Sequence, residues 1–322
     1  MRTWHHTLES APSEGPCVLT LGNFDGVHMG HRTLLENASR RAEALAVPAV
    51  VVTFDPHPAV IVAPERRPRL LMTLAQRLES FAATGMHLAW IIPFSRAFSE
   101  LSPGQFLDGL ARVLSPVELH VGRAFRFGKD RAGALDTLEA WGQAGGRDGT
   151  HCEVHGHALQ APDGGHLSST RIRQALDAGA VEEAGALLGH PYALTGVVVE
   201  GERRGRHLGF PTANLAWEQE QLPVHGVYVT EVRGARWPGW RRGLTNVGLK
   251  PTFQGAGMAL TVETHVPGFH GDLYGSHLEV RFLHRLRGEQ KFDGLEALKA
   301  QIALDVAAGL AWGAGEEISS DG

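Results

Sequence analysis

The sequence predicts an α/β domain with a doubly wound parallel sheet, followed by an antiparallel β-barrel or β-sandwich. Three observations support this. The chain has 322 residues, about twice the length of a typical domain. Apolar strand-like runs alternate with helical segments up to about residue 190. Beyond that point, short β-rich runs are separated by closely spaced turn residues. We therefore expect two domains, 1–188 and 189–322.

The first half of the chain predicts four strands that alternate with helices. Each strand is a short run of mostly apolar residues, and the helices carry apolar residues at helical spacing. Strands that alternate with helices usually pair in parallel and are covered on both faces. We expect strands at 17–21, 49–54, 88–93 and 117–122, and helices from His31, around 74–83 and over 171–188.

The second half predicts short antiparallel strands and a closing helix. The helix should pack through one apolar face, formed by Leu295, Leu298, Ile302 and Val306. Residues from Gly313 onward read as a frayed tail. Strands are expected at 194–199, 226–232, 260–266 and 277–283, with a small-residue turn at 254–257.

Composition narrows the classes of function. The formal net charge is −5, which argues against nucleic acid as the main partner. Cys17 and Cys152 are too few for a disulfide framework or a four-ligand zinc site, so two buried thiols are expected. No apolar run of 18 residues and no signal-peptide pattern occur, which predicts a soluble cytoplasmic protein without a membrane partner. The sequence has no coiled-coil pattern that would predict a stable assembly. We therefore expect a monomer or a weak homo-oligomer.

A turn-rich decapeptide, residues 22–31, lies between the first strand and the first helix. A helix start at the carboxyl end of a strand offers free backbone N–H groups to phosphate. His28 and His31, three residues apart, can point to one side and donate hydrogen bonds to a triphosphate. Spacing alone would equally allow metal ligands or surface residues.

The surrounding motif favours the phosphate interpretation. His-x-Gly-His after Gly-x-Phe-Asp-Gly resembles the nucleotidylyltransferase superfamily, and the whole decapeptide resembles its FAD synthetase branch. Residues 168–173, Ser-Ser-Thr-Arg-Ile-Arg, resemble the partner motif of that superfamily, although hydroxyl residues at a helix start are commonly only caps. The resemblance implies catalysis by His28 and His31, and ATP contacts from Gly22, Asn23, Phe24, Asp25, Gly30, Ser169, Thr170, Arg171 and Arg173.

Two further segments, 53–58 and 121–133, resemble family motifs beside the flavin and nucleotide sites. The second carries four basic residues and one acid, interleaved with phenylalanines that suit a ring-and-phosphate ligand, although such a run is often only a solvated loop. The family usually has Asp or Asn where this sequence has Ala124, which predicts a weaker ligand contact. The implied flavin contacts are Pro56, His57, Pro58, Phe125, Arg126 and Phe127.

Residues 196–215, near the start of the second half, contain more motif residues than any other segment. A glycine-rich loop alone is weak evidence and is often just a turn, but Gly-Phe-Pro-Thr-Ala-Asn closely resembles the riboflavin kinase family. The resemblance implies a β-barrel with a closing helix and Mg²⁺ held with ATP by Thr212 and Asn214, whose neutral oxygens suit that ion. The implied ATP contacts are Gly201, Gly205, Arg206, Gly209, Phe210 and Pro211.

Glu263 lies in an alternating strand, where a carboxylate is ordinarily only a surface group. The resemblance makes it the general base of the kinase reaction. It also implies that Arg287 and Phe292 border the flavin, although ordinary packing explains these two residues equally well.

The resemblance covers residues 17–310 in family order and implies two reactions that use ATP and Mg²⁺. Riboflavin would be phosphorylated to FMN in the C-terminal half, and FMN adenylylated to FAD with release of pyrophosphate in the N-terminal half. Ala124 keeps an alternative open, a mainly monofunctional riboflavin kinase with a weak adenylyltransferase domain. A non-catalytic flavin-binding protein is disfavoured because Glu263, Thr212 and Asn214 are all present.

Overall fold

The structure is a computed structural model that describes residues 1–145, 149, 151–161, 163–201, 205, 208–251 and 258–313. The chain divides into two units, Met1–Ser169 and Thr170–Gly322. The expected division of function at residue 188 stays a prediction.

Six strands of the first unit form one parallel sheet, as predicted, in the order β1-β4-β3-β2-β5-β6. Neighbouring residues of a strand fall into separate apolar cores, with Val18 in one and Leu19 in the other. Both faces are therefore covered, which makes the sheet doubly wound. The strands are β1 (Arg2–His5), β2 (Gly15–Leu21), β3 (Ala49–Asp55), β4 (Leu88–Pro93), β5 (Leu114–Gly122) and β6 (Glu153–His157).

Helices connect these strands where the sequence predicted them, at Met29–Ala44 and Leu74–Ala83. The edge strands β1 and β6 were not predicted, because β1 begins with charged and polar residues and β6 contains Glu153, His155 and His157. The helices of this part are α1 (Met29–Ala44), α2 (Pro58–Val62), α3 (Leu74–Ala83), α4 (Arg96–Ser99), α5 (Pro103–Val113) and α6 (Leu135–Gln143).

The single helix predicted over 171–188 is wrong, because the segment forms two helices. These are α7 (Ser169–Ala178) and α8 (Val181–Leu188). Gly179 between them has φ of +78°, a left-handed conformation that ends a helix.

The described strands of the second unit close into an antiparallel barrel in the order β10-β11-β8-β7-β12-β9. Inside it, the buried hydroxyls of Thr230, Thr245 and Thr264 form a chain of two 2.9 Å hydrogen bonds. Strands β8 and β10 were not predicted, and the turn expected at 254–257 lies outside the described residues. The strands are β7 (Tyr192–Val199), β8 (Thr212–Trp217), β9 (Gly226–Gly234), β10 (Arg241–Pro251), β11 (Met258–His265) and β12 (His277–Arg287).

The closing helix α9 (Leu295–Ala311) packs on the barrel, but its contact face differs from the prediction. Leu298, Ile302 and Val306 are partly buried, whereas Leu295 is 67% exposed at the helix start. The buried centre of the face is instead Asp305 and Gly309.

Both cysteines are buried free thiols, as expected. Burial raises the pKa of the Cys152 thiol to about 12 and raises that of Cys17 further. Neither thiol is a ready nucleophile at neutral pH. None of the helices in the described ranges is long and apolar enough to cross a membrane.

Candidate active sites of the two units

The loop between β2 and α1 begins at the carboxyl end of a central strand of the parallel sheet. From β2 the chain moves outward through β3 and β4, then returns to the other side of β2 at β5. Open α/β sheets bind ligands at such a reversal, beyond the carboxyl ends of the strands. The loop from Gly22 to His28 therefore lies where a ligand is expected.

The backbone of this loop is strained and held by one buried ring. Phe24 and Val27 have φ of 53° and 34°, in the region that favours glycine. The Phe24 ring is 1% exposed and contacts Gly22 so closely that a Cβ there would lie 3.0 Å from it. The Phe24 side chain thus shapes the loop, and only its backbone is available to a nucleotide.

Asp25 anchors the loop rather than facing an open site. Its carboxylate is 5% exposed, and Oδ1 accepts hydrogen bonds from the backbone N–H groups of Leu71 (2.9 Å) and Met72 (3.3 Å). Its backbone carbonyl accepts a 2.7 Å hydrogen bond from the Ser169 hydroxyl. A hydrogen bond therefore joins two residues that are 144 positions apart in the sequence.

His28 and His31 stack at the start of α1, with ring centroids 3.6 Å apart and planes 11° from parallel. Nδ1 of His28 accepts a 3.3 Å hydrogen bond from the His31 backbone N–H. Because Nδ1 is the acceptor, a neutral His28 carries its proton on Nε2, where it can be donated. Gly30, between the two, packs against Leu159, and a Cβ there would approach the Leu159 side chain to 3.0 Å.

Burial keeps both imidazoles uncharged at neutral pH. It lowers the pKa of His28 to about 4 and that of His31 well below its ordinary value. Two neutral rings can stack without charge repulsion. Nδ1 of His31 is buried and makes no hydrogen bond to the described residues.

The second motif opens helix α7 and spans the division between the units. Ser169 belongs to the first unit, and Thr170, Arg171 and Arg173 belong to the second. Thr170 is exposed and Arg173 is partly buried. Arg171 donates to Oε1 of Glu183 from Nε (3.3 Å) and Nη2 (3.0 Å), and its contact with ATP stays a prediction.

Arg77, which sequence reasoning missed, holds the ends of β2 and β3 together. It is 5% exposed, and Nη1 donates to the carbonyls of Asn23 (3.0 Å) and Phe54 (3.3 Å) and to the Thr53 hydroxyl (3.2 Å). Nη2 lies 3.5 Å from the Asp55 carboxylate. In the sequence, the role of Arg77 is indicated only by the presence of a charged residue among the apolar residues of α3. This cation fixes the floor of the loop.

The six predicted flavin contacts differ in their accessibility. Phe127 is 7% exposed and packs among core aromatic rings, 5.6 Å from Phe106 between centroids, so its ring has little free surface. Phe125 is partly buried and Arg126 is exposed. His57 caps α2 by accepting from a backbone N–H at 3.2 Å, and it is partly buried, as is Pro58, whereas Pro56 is exposed.

In the second unit, three polar residues lie side by side across three strands of the barrel wall. Glu263 on β11 is opposite Asn214 on β8 and opposite Asn246 on β10. Their neighbours Ala213, Val262 and Thr264 are buried in the barrel. Because side chains alternate along a strand, the polar row lies on the outer surface of the wall.

Glu263 has a hydroxyl on one side and an ammonium on the other. The Thr212 hydroxyl lies 3.4 Å from Oε2, and Lys250 on β10 forms an ion pair with Oε1. Lys250 was not predicted as a site residue. The carboxylate is 16% exposed, so it can be reached from solvent.

The loop before β8 approaches these residues closely. A Cβ on Gly201 would lie 2.3 Å from the Asn214 amide nitrogen, so only glycine fits there. Gly209 has φ of +90°, and the Phe210 ring meets His265 edge-on at 5.7 Å. Pro211 is exposed, Gly205 is partly buried, and Arg206 lies outside the described residues.

A cleft of about 330 Å³ opens beside Thr212. Its walls come from β7, β8, β11 and the segment 269–274. It is lined by Val198, Pro211, Thr212, Ala213, Thr264, Val266, Phe269, His270, Gly271, Asp272, Leu273 and Tyr274.

Arg287 and Phe292 lie at the end of β12 and after it. Arg287 forms a bidentate ion pair with Asp305 of α9, at 2.7 to 3.1 Å, and lies 5.8 Å from the centre of the Phe292 ring. Its guanidinium therefore attaches the closing helix to the barrel. A flavin could contact only the part of Arg287 that this pair leaves uncovered.

Comparison with known proteins matches both halves of the chain. The FAD synthetase family model matches residues 10–171, and the riboflavin kinase family model matches residues 188–312. The bifunctional riboflavin kinase/FMN adenylyltransferase of Escherichia coli strain K12 is 39% identical over 302 residues, 93% of each chain. This chain belongs to the bifunctional riboflavin kinase/FMN adenylyltransferase family.

The match extends to other bacteria and to a solved structure. The family member of Pseudomonas fluorescens is 39% identical over 300 residues, which cover 92% of this chain and 93% of the relative. A crystal structure described as a macrolide-efflux protein from Streptococcus pneumoniae is 30% identical, covers 97% of this chain and 100% of its own, and has a TM-score of 0.84. Both matches span the N-terminal sheet and the C-terminal barrel.

Proposed function

We propose that this chain phosphorylates riboflavin to FMN through residues 189–322 and adenylylates FMN to FAD through residues 1–188. The observation that carries the first activity is Glu263 lying beside Thr212 and opposite Asn214 on the barrel wall. The stacked neutral pair His28 and His31 at the sheet reversal carries the second. Matches to both family models favour two activities over a kinase alone.

In the kinase step, the riboflavin 5′-hydroxyl oxygen attacks the γ-phosphorus of ATP, and the bond to the bridging oxygen of ADP breaks. Glu263 accepts the hydroxyl proton, as a general base within reach of the barrel surface. The Lys250 ammonium keeps this carboxylate in place in the free enzyme. The cleft beside Thr212 has the volume and polar lining to hold part of a nucleotide.

The residues at this wall also fit Mg²⁺. Thr212 offers a hydroxyl, Asn214 an amide oxygen and Glu263 a carboxylate, and oxygen donors of this kind are the ones Mg²⁺ prefers. Thr212 and Asn214 would hold the ion together with ATP. When bound, Mg²⁺ neutralises charge that develops on the phosphates.

In the adenylylation step, a phosphate oxygen of FMN attacks the α-phosphorus of ATP, and pyrophosphate leaves. No protein nucleophile takes part, so positioning and charge stabilisation carry the rate. Nε2–H of His28 donates to a phosphate oxygen, and His31 does the same from a buried ring. Gly22, Asn23 and Phe24 contribute backbone groups, while Asp25 and Ser169 hold the loop closed.

The small-molecule substrates riboflavin, FMN and ATP account for the whole of this activity, without nucleic acid or membrane. We place the enzyme in the cytoplasm, where its two free thiols stay reduced, and expect a monomer or weak homo-oligomer.

One assay tests the proposal. Purified protein is incubated with riboflavin, ATP and Mg²⁺, and the flavins are separated by chromatography over time. FMN should appear first and FAD should follow. If FMN accumulates without FAD, the proposed adenylyltransferase activity is wrong and only the kinase remains. If riboflavin is not converted at all, both proposed activities are wrong.

A further inference from the structure

Strands β5 and β6 carry a cluster of histidines and carboxylates that neither proposed reaction uses. Alternate residues of a strand share a face, so Glu118 and His120 of β5 lie together, as do Glu153, His155 and His157 of β6. The strands pair in register, with Glu118 beside Glu153 and His120 beside His155. Five groups that could ligate a metal therefore occupy one surface near the edge of the sheet.

Three of these groups converge on one point. Nε2 of His120 lies 3.1 Å from Oε2 of Glu118, and Nε2 of His155 lies 3.7 Å from the same oxygen. All three ligand atoms lie within 4.8 Å of one another. The ligand atoms of a tetrahedral Zn²⁺ are about 3.4 Å apart, since each is about 2.1 Å from the ion. Small side-chain adjustments would therefore complete a site.

The site is built into the structure rather than assembled at the surface. Glu118 and His120 are each 3% exposed. Nε2 of His155 is buried and makes no hydrogen bond within the described part of the chain, although carboxylate oxygens of Glu118 and Glu153 lie 3.7 and 3.5 Å away. A buried ring nitrogen aimed at carboxylates without a hydrogen bond is suited to a cation between them.

Outer groups orient the ligands. Nδ1 of His120 lies 3.0 Å from Nε2 of His157, so a metal on His120 Nε2 would leave Nδ1–H to donate to His157. Arg41 of α1 donates to both oxygens of Glu118 and holds the carboxylate in place. Oε2 of Glu118 is also hydrogen-bonded to Nε2 of His120 at 3.1 Å, a contact that a bound ion would replace. The positive charge of Arg41 also limits how tightly a cation can bind.

We propose that Glu118, His120 and His155 bind a divalent transition-metal ion, with Zn²⁺ the best fit to two imidazoles and one carboxylate. Water or Glu153 completes the coordination, and His157 acts as the outer hydrogen-bond partner of His120. The bound ion joins the edge strand β6 to β5. This site is separate in its residues from the Mg²⁺ ligands proposed for the kinase.

The test uses Co²⁺, whose visible absorption reports tetrahedral coordination by nitrogen and oxygen. Untagged protein is titrated in excess Mg²⁺, so that the hard-cation site is already occupied. One equivalent should bind to the wild type. His155→Gln should weaken binding about 100-fold, whereas His5→Gln, a change at an exposed histidine of β1, should leave it unchanged.

A second variant keeps the test decisive if His155→Gln does not fold. His157→Gln removes only the outer partner and should weaken Co²⁺ binding about 10-fold or more. Zn²⁺ should raise the Tm of the wild type and not that of His155→Gln. Absence of Co²⁺ binding to the wild type at millimolar concentration would overturn the proposal. Wild-type affinity in a folded His155→Gln or His157→Gln variant would do so as well.

Discussion

Asn214 and Glu263 lie directly opposite each other on the antiparallel strands β8 and β11 of the barrel. Register places an amide side chain beside a carboxylate on the outer wall, and the Thr212 hydroxyl lies 3.4 Å from that carboxylate. These residues come from motifs about 50 positions apart in the sequence. Their assembly at one point is the structural basis of the proposed kinase site.

Replacing Glu263 by glutamine should remove the carboxylate that acts as the general base while keeping the size and shape of the side chain. FMN formation from riboflavin should fall by about 10² to 10⁴, since that is the usual contribution of a general base. The rate of phosphorylation at saturating ATP and riboflavin measures it. Glu296→Gln, at an exposed position in the first turn of α9, is the matched control and should leave the rate unchanged. Full kinase activity in Glu263→Gln would assign the base elsewhere.

Arg77→Met should destabilise the first unit and slow FAD formation. The change removes the Arg77 hydrogen bonds to the carbonyls of Asn23 and Phe54, and Asn23 keeps a second donor, the Thr53 hydroxyl at 3.3 Å. We expect this loss to cost about 3 kcal/mol of unfolding free energy. Urea denaturation followed by fluorescence measures it. Arg96→Met removes only the exposed pair with Glu100 and should cost less than about 0.5 kcal/mol. Equal losses in both variants would show that Arg77 is not an anchor.

The folded state should lose stability in acid through His28 and His31. Their pKa values are lowered by burial, to about 4 for His28, so the unfolded chain binds protons below pH 6.5 before the folded one does. This contribution is fully present above pH 6.5 and is lost as the pH falls towards 4. His28 contributes about 1.4 kcal/mol per pH unit in that window. His31 changes the stability in the same direction. Unfolding free energies at pH 7, 6 and 5 measure the slope.

The matched variant for that measurement is His28→Asn, which retains a capping side chain at the start of α1. Its unfolding free energy should depend less steeply on pH. An unchanged slope would mean that His28 does not carry a lowered pKa.

Much of the fold can be predicted from apolar runs in the sequence. The four strands with long apolar runs were predicted within a few residues, because burial on both faces leaves only apolar choices. Strand β6 was missed because its face carries Glu153 and His155 instead of apolar residues. The break at Gly179 was not predicted, because a single glycine within a helical pattern is compatible with a continuous helix.

The candidate sites divide in the same way. Motifs predicted His28, Glu263 and Thr212 as site residues because their side chains can carry the expected chemistry, and these assignments stay predictions. The motifs did not identify Arg77 or Lys250, whose importance depends on tertiary contacts with carbonyls and with Glu263. The sequence also could not show that the Phe127 ring is taken up by core packing.

Ala124→Asp should improve adenylylation. Ala124 is exposed in the loop after β5, so a carboxylate there would not be forced into the core. One added hydrogen bond to a ligand is worth about 1 kcal/mol, which corresponds to about a fivefold rise in kcat/KM for FMN-to-FAD conversion. Ala124→Ser, with a shorter polar group, should give a smaller rise. No change in either variant would show that Ala124 does not limit this activity.

The two reactions are proposed to occur at two separate sites, so that FMN released from one protein molecule can be adenylylated by another. This separation is tested most directly by mixing Glu263→Gln with His31→Asn in the presence of riboflavin, ATP and Mg²⁺. Alone, the first variant should convert added FMN to FAD but leave riboflavin unchanged, and the second should stop at FMN. The mixture should make FAD from riboflavin. Loss of both activities in either folded variant, or FMN without FAD in the mixture, would contradict the account.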